Sequence, residues 1–457
     1  MSFGLKRLKI NNKGFLANVL TLLTGTIIAQ AIPIAVSPIL TRIYNPDDFG
    51  IFALYTSIIS VIAVMANARY ELAIMLPKKE EEAVNILALS IIVAAAISLL
   101  LFIIILLFHD NIALLLGNPK ISDWLYFIPL SILLTGIYQS FNYWSNRKKQ
   151  YKRLASNRMY QSTTTAGANL ALGPIKNGAF GLIIGGLVSQ LISTIRLAIK
   201  SIKNDNISLK SISLNSMLQM AKRYDQFPKY AIGSGLLNSA SVQLPVFILS
   251  SFFSSNVVGL YSLSNRVLNM PMSILGSAVA QVFFQTSAEL NNNSKSVLKT
   301  VTYNTYKKML YIGTVPLSIV FAFGDYIFSF VFGVEWREAG EYARVLSPWL
   351  LLVFVSSPLS NLFTVLEKQR QGFLFNLFLF ISRVLSLLVG AVAFKDASFT
   401  ISLFGVTGFL FWLWHCLYIL KLVGISYKKS FLFTCSFLSL VFAILMSIRY
   451  LLFGNVM

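Results

Sequence analysis

The sequence has little charge, little cysteine and little histidine. Only 12% of its 457 residues are charged, and it contains two cysteines and two histidines. Cys416 and Cys435 lie in apolar segments, and His109 and His415 are far apart in sequence. No disulfide framework, Cys/His metal cluster or Cys–His nucleophile pair is therefore indicated. We expect no cofactor, no metal and no catalytic residue.

Acidic residues are also scarce, whereas apolar residues are abundant. The chain has 17 Asp and Glu against 38 Lys and Arg, and 56% of its residues are hydrophobic. The mean hydropathy is +0.70. Apolar runs of about twenty residues recur along the chain. Each run is long enough for a helix to cross a hydrocarbon core of about 30 Å. The short alternating segments of a β-barrel are not seen. The composition predicts an all-α polytopic membrane protein.

The apolar windows predict thirteen membrane-spanning helices. The fifth window is the most polar, because it contains the serine and three threonines at 162–165 and also Asn169. We expect this helix to face protein or water. The predicted bounds are 16–40, 49–68, 84–108, 122–143, 159–175, 179–199, 229–253, 257–285, 303–323, 343–366, 373–394, 399–421 and 430–453.

Basic residues are distributed very unevenly between the two sides of these predicted helices. On the side of the N-terminus lie 28 of the 38 Lys and Arg, whereas 7 lie on the opposite side. The asymmetry predicts a cytoplasmic N-terminus. Basic clusters such as 147–158 then serve topology and attract anionic membrane lipids. No soluble segment could carry a nucleic-acid site, so we predict no nucleic-acid partner.

An internal repeat divides the chain. Residues 49–54 (FGIFAL) recur 209 positions later as residues 258–263 (VGLYSL), and each copy follows a helix that contains proline and polar residues. The repeat predicts two six-helix bundles related as a parallel repeat around a central cavity, plus about one extra C-terminal helix. The predicted domains are an N-terminal lobe (1–199), a cytoplasmic amphipathic linker (200–228), a C-terminal lobe (229–421) and an accessory C-terminal helix (422–457).

Several motifs point to one family: SPILTRIYNPDDFG at 37–50, ARYELAI at 68–74, QLPV at 243–246, VVGLY at 257–261 and GSAVAQVFF at 276–284. In these motifs the chain resembles the polysaccharide-repeat flippases, which are Wzx-type O-antigen and capsule transporters. The wider superfamily includes multidrug exporters and the lipid II flippase. The resemblance implies alternating access in the bacterial inner (plasma) membrane, with outward transfer of an undecaprenyl-diphosphate-linked oligosaccharide. Other polysaccharide-assembly proteins are then candidate partners.

Two arginines, Arg266 and Arg383, fall near the middle of predicted spans, and no predicted span offers a carboxylate to either. A charge at the bilayer centre costs roughly 2.5–3.5 kcal/mol on insertion scales. A guanidinium also binds phosphate oxygens bidentately and stays ionised. We therefore predict that both arginines bind the diphosphate. The alternative is that each bonds helix carbonyls or a boundary acid such as Asp325.

Arg69 and Glu71 follow the second predicted helix near the inner face. Arg69 is a further candidate ligand of the diphosphate and Glu71 a candidate gate. The alternative is an interfacial ion pair that fixes the helix end.

Amide side chains within predicted spans are candidates for hydrogen bonds to sugar hydroxyls, although bonding between helices is the alternative. Two prolines are candidate gating residues because they can bend a helix. The amides are Gln30, Gln139, Asn142 and Asn269, and the prolines are Pro33 and Pro245.

Two other functions fit the sequence less well than that of a flippase. A cation-coupled multidrug exporter needs a buried carboxylate, and all 17 acids fall outside the central predicted spans. A glycan polymerase or ligase at the periplasmic face needs a large outer loop, and the outer loops predicted here are about twenty residues or shorter. The sequence therefore favours a transporter over an enzyme.

Overall fold

The computed structural model describes residues 12–175 and 178–454, without the side chains of 12–23, 209, 270, 271, 273, 292 and 293. These residues form α1 (Asn12–Ile43), α2 (Pro46–Ile62), α3 (Tyr70–Ala73), α4 (Glu80–Leu115), α5 (Ser122–Leu125), α6 (Ile128–Arg147), α7 (Tyr151–Leu172), α8 (Phe180–Asn204), α9 (Leu214–Arg223), α10 (Ile232–Phe252), α11 (Ser255–Asn293), α12 (Lys295–Phe332), α13 (Arg337–Leu359), α14 (Leu362–Val365), α15 (Gln369–Leu388), α16 (Ala397–Leu422) and α17 (Tyr427–Phe453).

Every predicted window overlaps one of the long helices. Nine helices in the described ranges are long and apolar enough to cross a membrane, or up to eleven if each of two bent helix pairs forms one span. Outside this set remain α2, which has 17 residues, and α7, which is rich in polar residues. The chain is a multi-pass all-α membrane protein, and the number of thirteen spans stays a prediction.

The second predicted helix, 49–68, is too long at its C-terminal end, since α2 ends at Ile62. A turn follows, and the Asn67 side-chain amide anchors it by donating to backbone carbonyls of α4 and α6, both at 3.0 Å. Ala68 and Arg69 then adopt φ values of 48° and 64°. Left-handed residues of this kind cannot continue a right-handed helix.

The predicted helix 343–366 begins too far along the chain. Only a single turn at Val334–Trp336 precedes α13, which begins at Arg337. The Trp336 side chain is fully buried and packs edge-on against Phe49, with ring centroids 5.0 Å apart. Trp336 is therefore buried, whereas Glu335 and Arg337 beside it are exposed.

The chain divides into two compact units. Unit 1 comprises Met1–Tyr44 and Leu54–Gln243, and unit 2 comprises Asn45–Ala53 and Leu244–Met457. Part of the predicted linker packs within unit 1, because Met217 and Met220 of α9 are buried. The predicted limits of the two lobes, the linker and the accessory helix stay a prediction.

The two copies of the internal repeat contact each other through residues of unit 2. A Cβ atom added at Gly50 of α2 would overlap the carbonyl oxygen of Ser255, and one added at Gly259 of α11 would overlap that of Pro46. Ser255 lies 209 residues after Pro46, as Gly259 does after Gly50. The two helices therefore meet through equivalent residues of the repeat, and only glycine permits so close an approach.

Candidate functional site

One face of α11 carries four polar residues at helical spacing: Ser262, Asn265, Arg266 and Asn269. Arg266 is half-buried, and among the described residues it has no hydrogen-bond or ion-pair partner. The Asn269 amide donates to the carbonyl of Asn265 at 2.9 Å and to its side-chain oxygen at 2.5 Å. The Ser262 hydroxyl is buried and has no hydrogen-bond partner among the described residues. This face, the α11 stripe, thus presents a guanidinium without a counter-ion.

Arg383 lies on α15 beside aromatic side chains. Its guanidinium carbon is 5.9 Å from the ring centroid of Trp349, and it interacts electrostatically with Tyr261. Tyr261 precedes Arg266 by five residues, which places it about 140° around α11 from that arginine. Tyr261 also lies one turn before Asn265, a residue of the stripe, and the predicted role of Arg383 at the diphosphate stays a prediction.

The acid suggested as a partner for the central arginines bonds another residue. Asp325 of α12 accepts two hydrogen bonds from Arg449 of α17, at 2.7 and 2.9 Å, and both side chains are nearly inaccessible. Arg449 also donates to the carbonyl oxygen of Ala322 at 2.5 Å. Asp325 lies within α12, which continues to Phe332, and its position at the membrane boundary stays a prediction.

Arg69 and Glu71 form an ion pair in unit 1, with Nη1 and Oε1 3.7 Å apart. Glu71 is 2% exposed and Arg69 24%. Burial raises the pKa of Glu71, and the charge of Arg69 offsets this only in part. The guanidinium occupies the space beside Gly235, where an added Cβ would overlap Nη2. The ion pair is present, and its location at the membrane interface and its roles in binding the diphosphate and in gating stay predictions.

Two of the predicted sugar-binding amides lie one turn apart on α6. Gln139 is half-buried, and no described residue hydrogen-bonds to it. The side-chain oxygen of Asn142 is buried and likewise has no partner in the described part of the chain. Within the described part of the chain neither amide makes the interhelical bond that was the alternative, and a role toward sugar hydroxyls stays a prediction.

Gln30 lines a cavity of about 370 Å³ between α1 and α7, within unit 1. We call it the α1/α7 groove. Six of its seven lining residues have polar side chains, and the α7 residues follow a helical spacing of i, i+3, i+4 and i+7. The fifth predicted helix, 159–175, starts after Arg158, which belongs to the basic cluster 147–158. The predicted helix therefore does not include the helical spacing of Arg158 with the other lining residues of α7. The remaining lining residues are Thr26, Ala29, Arg158, Gln161, Ser162 and Thr165.

The predicted gating prolines lie within continuous helices, Pro33 in α1 and Pro245 in α10. A proline leaves the carbonyl four residues earlier without its amide donor. For Pro33 this is the carbonyl of Ala29, which accepts a hydrogen bond from the Ser162 hydroxyl at 2.5 Å. Pro33 therefore helps to join α1 to α7, and gating by either proline stays a prediction.

The basic cluster 147–158 is partly neutralised. Arg153 of α7 donates to both carboxylate oxygens of Asp205, at 2.7 and 2.8 Å, and the Trp144 indole donates to one of them at 3.0 Å. Burial alone raises the pKa of Asp205, but the bonds and the charge of Arg153 outweigh it, so that the net pKa is lowered. Arg153 is therefore a packing residue of unit 1.

Comparison with known proteins identifies the family. The family described as "Polysaccharide biosynthesis protein" matches residues 39–341, which is more than half of the chain. The chain belongs to this family. The resemblance to the polysaccharide flippases seen in the sequence is thereby confirmed at family level.

Two curated relatives of this chain have names that refer to polysaccharide biosynthesis. The succinoglycan biosynthesis transport protein ExoT of Rhizobium meliloti (strain 1021) is 23% identical over 337 residues, covering 73% of this chain and 65% of its own. The teichuronic acid biosynthesis protein TuaB of Bacillus subtilis (strain 168) is 23% identical over 237 residues, covering 50% and 49%. The chain thus spans roughly two thirds and one half of the lengths of these relatives.

Solved structures show that the fold of this family member is that of known transporters. The lipid II flippase MurJ in an inward closed conformation has a TM-score of 0.69 at 13% identity, covering 95% of this chain and all of its own. An inward-facing multidrug resistance MATE transporter of the MOP superfamily has a TM-score of 0.66 at 16% identity, covering 89% and 96%. The predicted fold class is confirmed.

Proposed function

We propose that this protein is a flippase for undecaprenyl-diphosphate-linked oligosaccharide repeat units. It moves them from the cytoplasmic to the periplasmic leaflet by alternating access, for O-antigen or capsule biosynthesis. The observation that carries the proposal is Arg266, a half-buried guanidinium without a bonding partner among the described residues. The family and the transport protein ExoT support a polysaccharide cargo and transport rather than catalysis.

The chemistry of a diphosphate suits the α11 stripe. An unpaired guanidinium in a membrane-spanning helix is costly, and a phosphate oxyanion relieves that cost through bidentate, charge-assisted bonds. Asn265 and Asn269 flank the arginine with amide groups that bond equally well to phosphate or sugar oxygens. The prenyl tail of the cargo remains in the lipid, where no polar partner is required.

The proposed location is the bacterial inner membrane with the N-terminus in the cytoplasm, because 28 of the 38 basic residues lie on that predicted side. The N-terminal eleven residues lie outside the described part of the chain. Anionic lipids at the inner surface are the counter-ions for this charge, and polysaccharide-assembly proteins are the further proposed partners.

The test is complementation of a strain that lacks the gene by Arg266→Ala and Arg266→Lys. We expect Arg266→Ala to abolish surface polysaccharide at normal protein level, with the lipid-linked repeat accumulating in the cytoplasmic leaflet. We expect Arg266→Lys to restore part of the polysaccharide, because a lysine keeps the charge but loses the bidentate geometry.

Arg196→Gln is the matched control. Arg196 is also a half-buried arginine, but it bonds Ser156 at 3.0 Å and stacks on Tyr160 at 3.6 Å. Full surface polysaccharide with Arg266→Ala contradicts the proposal. A gain of sensitivity to cationic dyes with unchanged polysaccharide favours a multidrug exporter instead.

A further inference from the structure

The α1/α7 groove holds a second arginine whose partners are neutral. Arg158 lies seven residues after the start of α7, about 10 Å along the helix. Its Nη1 donates to the Thr26 hydroxyl at 2.8 Å, and the side chain of Tyr138 lies close to it. Among the described residues no carboxylate pairs with it. The pairing of nearby Arg153 with Asp205 shows what compensation within the protein looks like, and Arg158 lacks it.

The rest of the groove offers neutral hydrogen-bonding groups. Gln30 is exposed, and no described residue hydrogen-bonds to its amide. Neighbouring side chains are held in place by bonds within unit 1: Gln161 to Gln190, and Thr165 to Ser189 at 2.7 Å. The volume of about 370 Å³ falls within the range of about 300–1,000 Å³ that is typical of small-ligand sites.

We propose that the α1/α7 groove binds an acidic sugar residue of the transported glycan. Arg158 takes the carboxylate of the sugar, and the Gln30 amide takes a neighbouring hydroxyl. A sugar acid combines one negative charge with several hydroxyls, and the groove combines one uncompensated cation with amides and hydroxyls. The inference rests on the proposed function, since it presumes a glycan cargo, but it concerns a site distinct from the α11 stripe.

The test uses the purified full-length protein in detergent and three soluble probes. Trigalacturonate is an acidic trisaccharide, maltotriose is a neutral one, and inorganic pyrophosphate represents the diphosphate without sugar. Binding is measured by calorimetry and by saturation-transfer NMR. We expect native protein to bind trigalacturonate more tightly than maltotriose.

The variants separate the two sites. Arg158→Gln is expected to weaken trigalacturonate binding about ten-fold or more, the loss expected for one charge-assisted hydrogen bond, and to leave pyrophosphate binding unchanged. Arg158→Lys is expected to retain part of the affinity, and Gln30→Ala to weaken the binding of both sugars. Arg266→Ala is expected to show the reverse pattern, and Arg196→Gln to match the native protein.

Three outcomes overturn the inference: no preference for the acidic probe, trigalacturonate affinity unchanged by both Arg158→Gln and Gln30→Ala, or loss of pyrophosphate binding in Arg158→Gln. The last outcome would make Arg158 part of the diphosphate site. If Arg266→Ala retains full surface polysaccharide while trigalacturonate binding still depends on Arg158, the proposed function fails and the groove remains an acidic-sugar site.

Discussion

Two arginines of unit 2, Arg449 and Arg266, are in opposite circumstances. Arg449 is 1% exposed and bonds both oxygens of Asp325 and a backbone carbonyl. Arg266 has no such partner among the described residues. A guanidinium paired inside the protein stabilises the packing of two helices, whereas an unpaired one depends on a ligand to relieve its desolvation. The same residue type therefore serves structure at one end of the unit and, as we propose, transport on α11.

The largest expected effect is on the paired arginine. Arg449→Ala leaves Asp325 as a buried and uncompensated carboxylate, and breaking a buried pair in this way costs about 3–5 kcal/mol. We expect a lower midpoint of thermal unfolding in detergent and less protein in the membrane. The double variant Arg449→Met with Asp325→Leu should recover much of the loss, because it removes both charges. A native-like midpoint for Arg449→Ala would show that the comparison is wrong.

The unpaired arginine should respond in the opposite direction. A charge at the bilayer centre costs roughly 2.5–3.5 kcal/mol on insertion scales, and Arg266→Met removes such a charge. The midpoint of thermal unfolding of this variant should therefore equal or exceed that of the native protein. Surface polysaccharide should be lost in the same variant. Destabilisation comparable to that of Arg449→Ala would instead mean that Arg266 is a packing residue.

Arg69 is an intermediate case, since it faces Glu71 at 3.7 Å and packs against Gly235. Gly235→Ala should displace the guanidinium from this space and destabilise unit 1 by about 1–3 kcal/mol, a typical cost of overpacking. Thermal unfolding measures the cost, with Gly233→Ala as the control because an added Cβ there meets nothing within 4 Å. Equal midpoints for the two variants would show that Arg69 is free to move.

The smallest effect is a pH dependence of the Arg153–Asp205 pair. The pKa of Asp205 is lowered in the folded protein, so the unfolded chain, with an Asp pKa of about 3.9, binds the proton more readily. The stabilisation is therefore complete well above pH 4 and is lost as the pH falls through the folded value. The difference in unfolding midpoint between the native protein and Asp205→Asn should shrink below about pH 4. A constant difference would indicate that hydrogen bonding alone matters.

Much of the fold could be predicted from the sequence, because long apolar windows report the membrane-facing parts of helices directly. Helix ends were less predictable, since they depend on tertiary contacts. Asn67 anchors the turn after α2 through bonds to α4 and α6, to residues that lie 23 and 69 positions away in the chain. α13 likewise begins six residues before the predicted position 343, next to the buried side chain of Trp336.

The candidate site was predictable only in part. Arg266 stands out because a charge within an apolar run is visible in any sequence. The pairing of Asp325 with Arg449 joins residues 124 positions apart, and no local pattern reports it. Arg158 is not distinguished in the sequence from the basic residues around it. The helical spacing of polar residues at 158, 161, 162 and 165 nevertheless indicates that they share one face of a helix.

The close approach of Gly50 and Gly259 has a further consequence. Each lies against the first turn of the helix that carries the other, so a local pseudo-dyad passes between them. The contact is isologous, as between the subunits of a symmetric dimer, but one covalent chain supplies both sides. A methyl group added to either glycine meets the same kind of atom, a carbonyl oxygen, and the two alanine variants should be equally impaired.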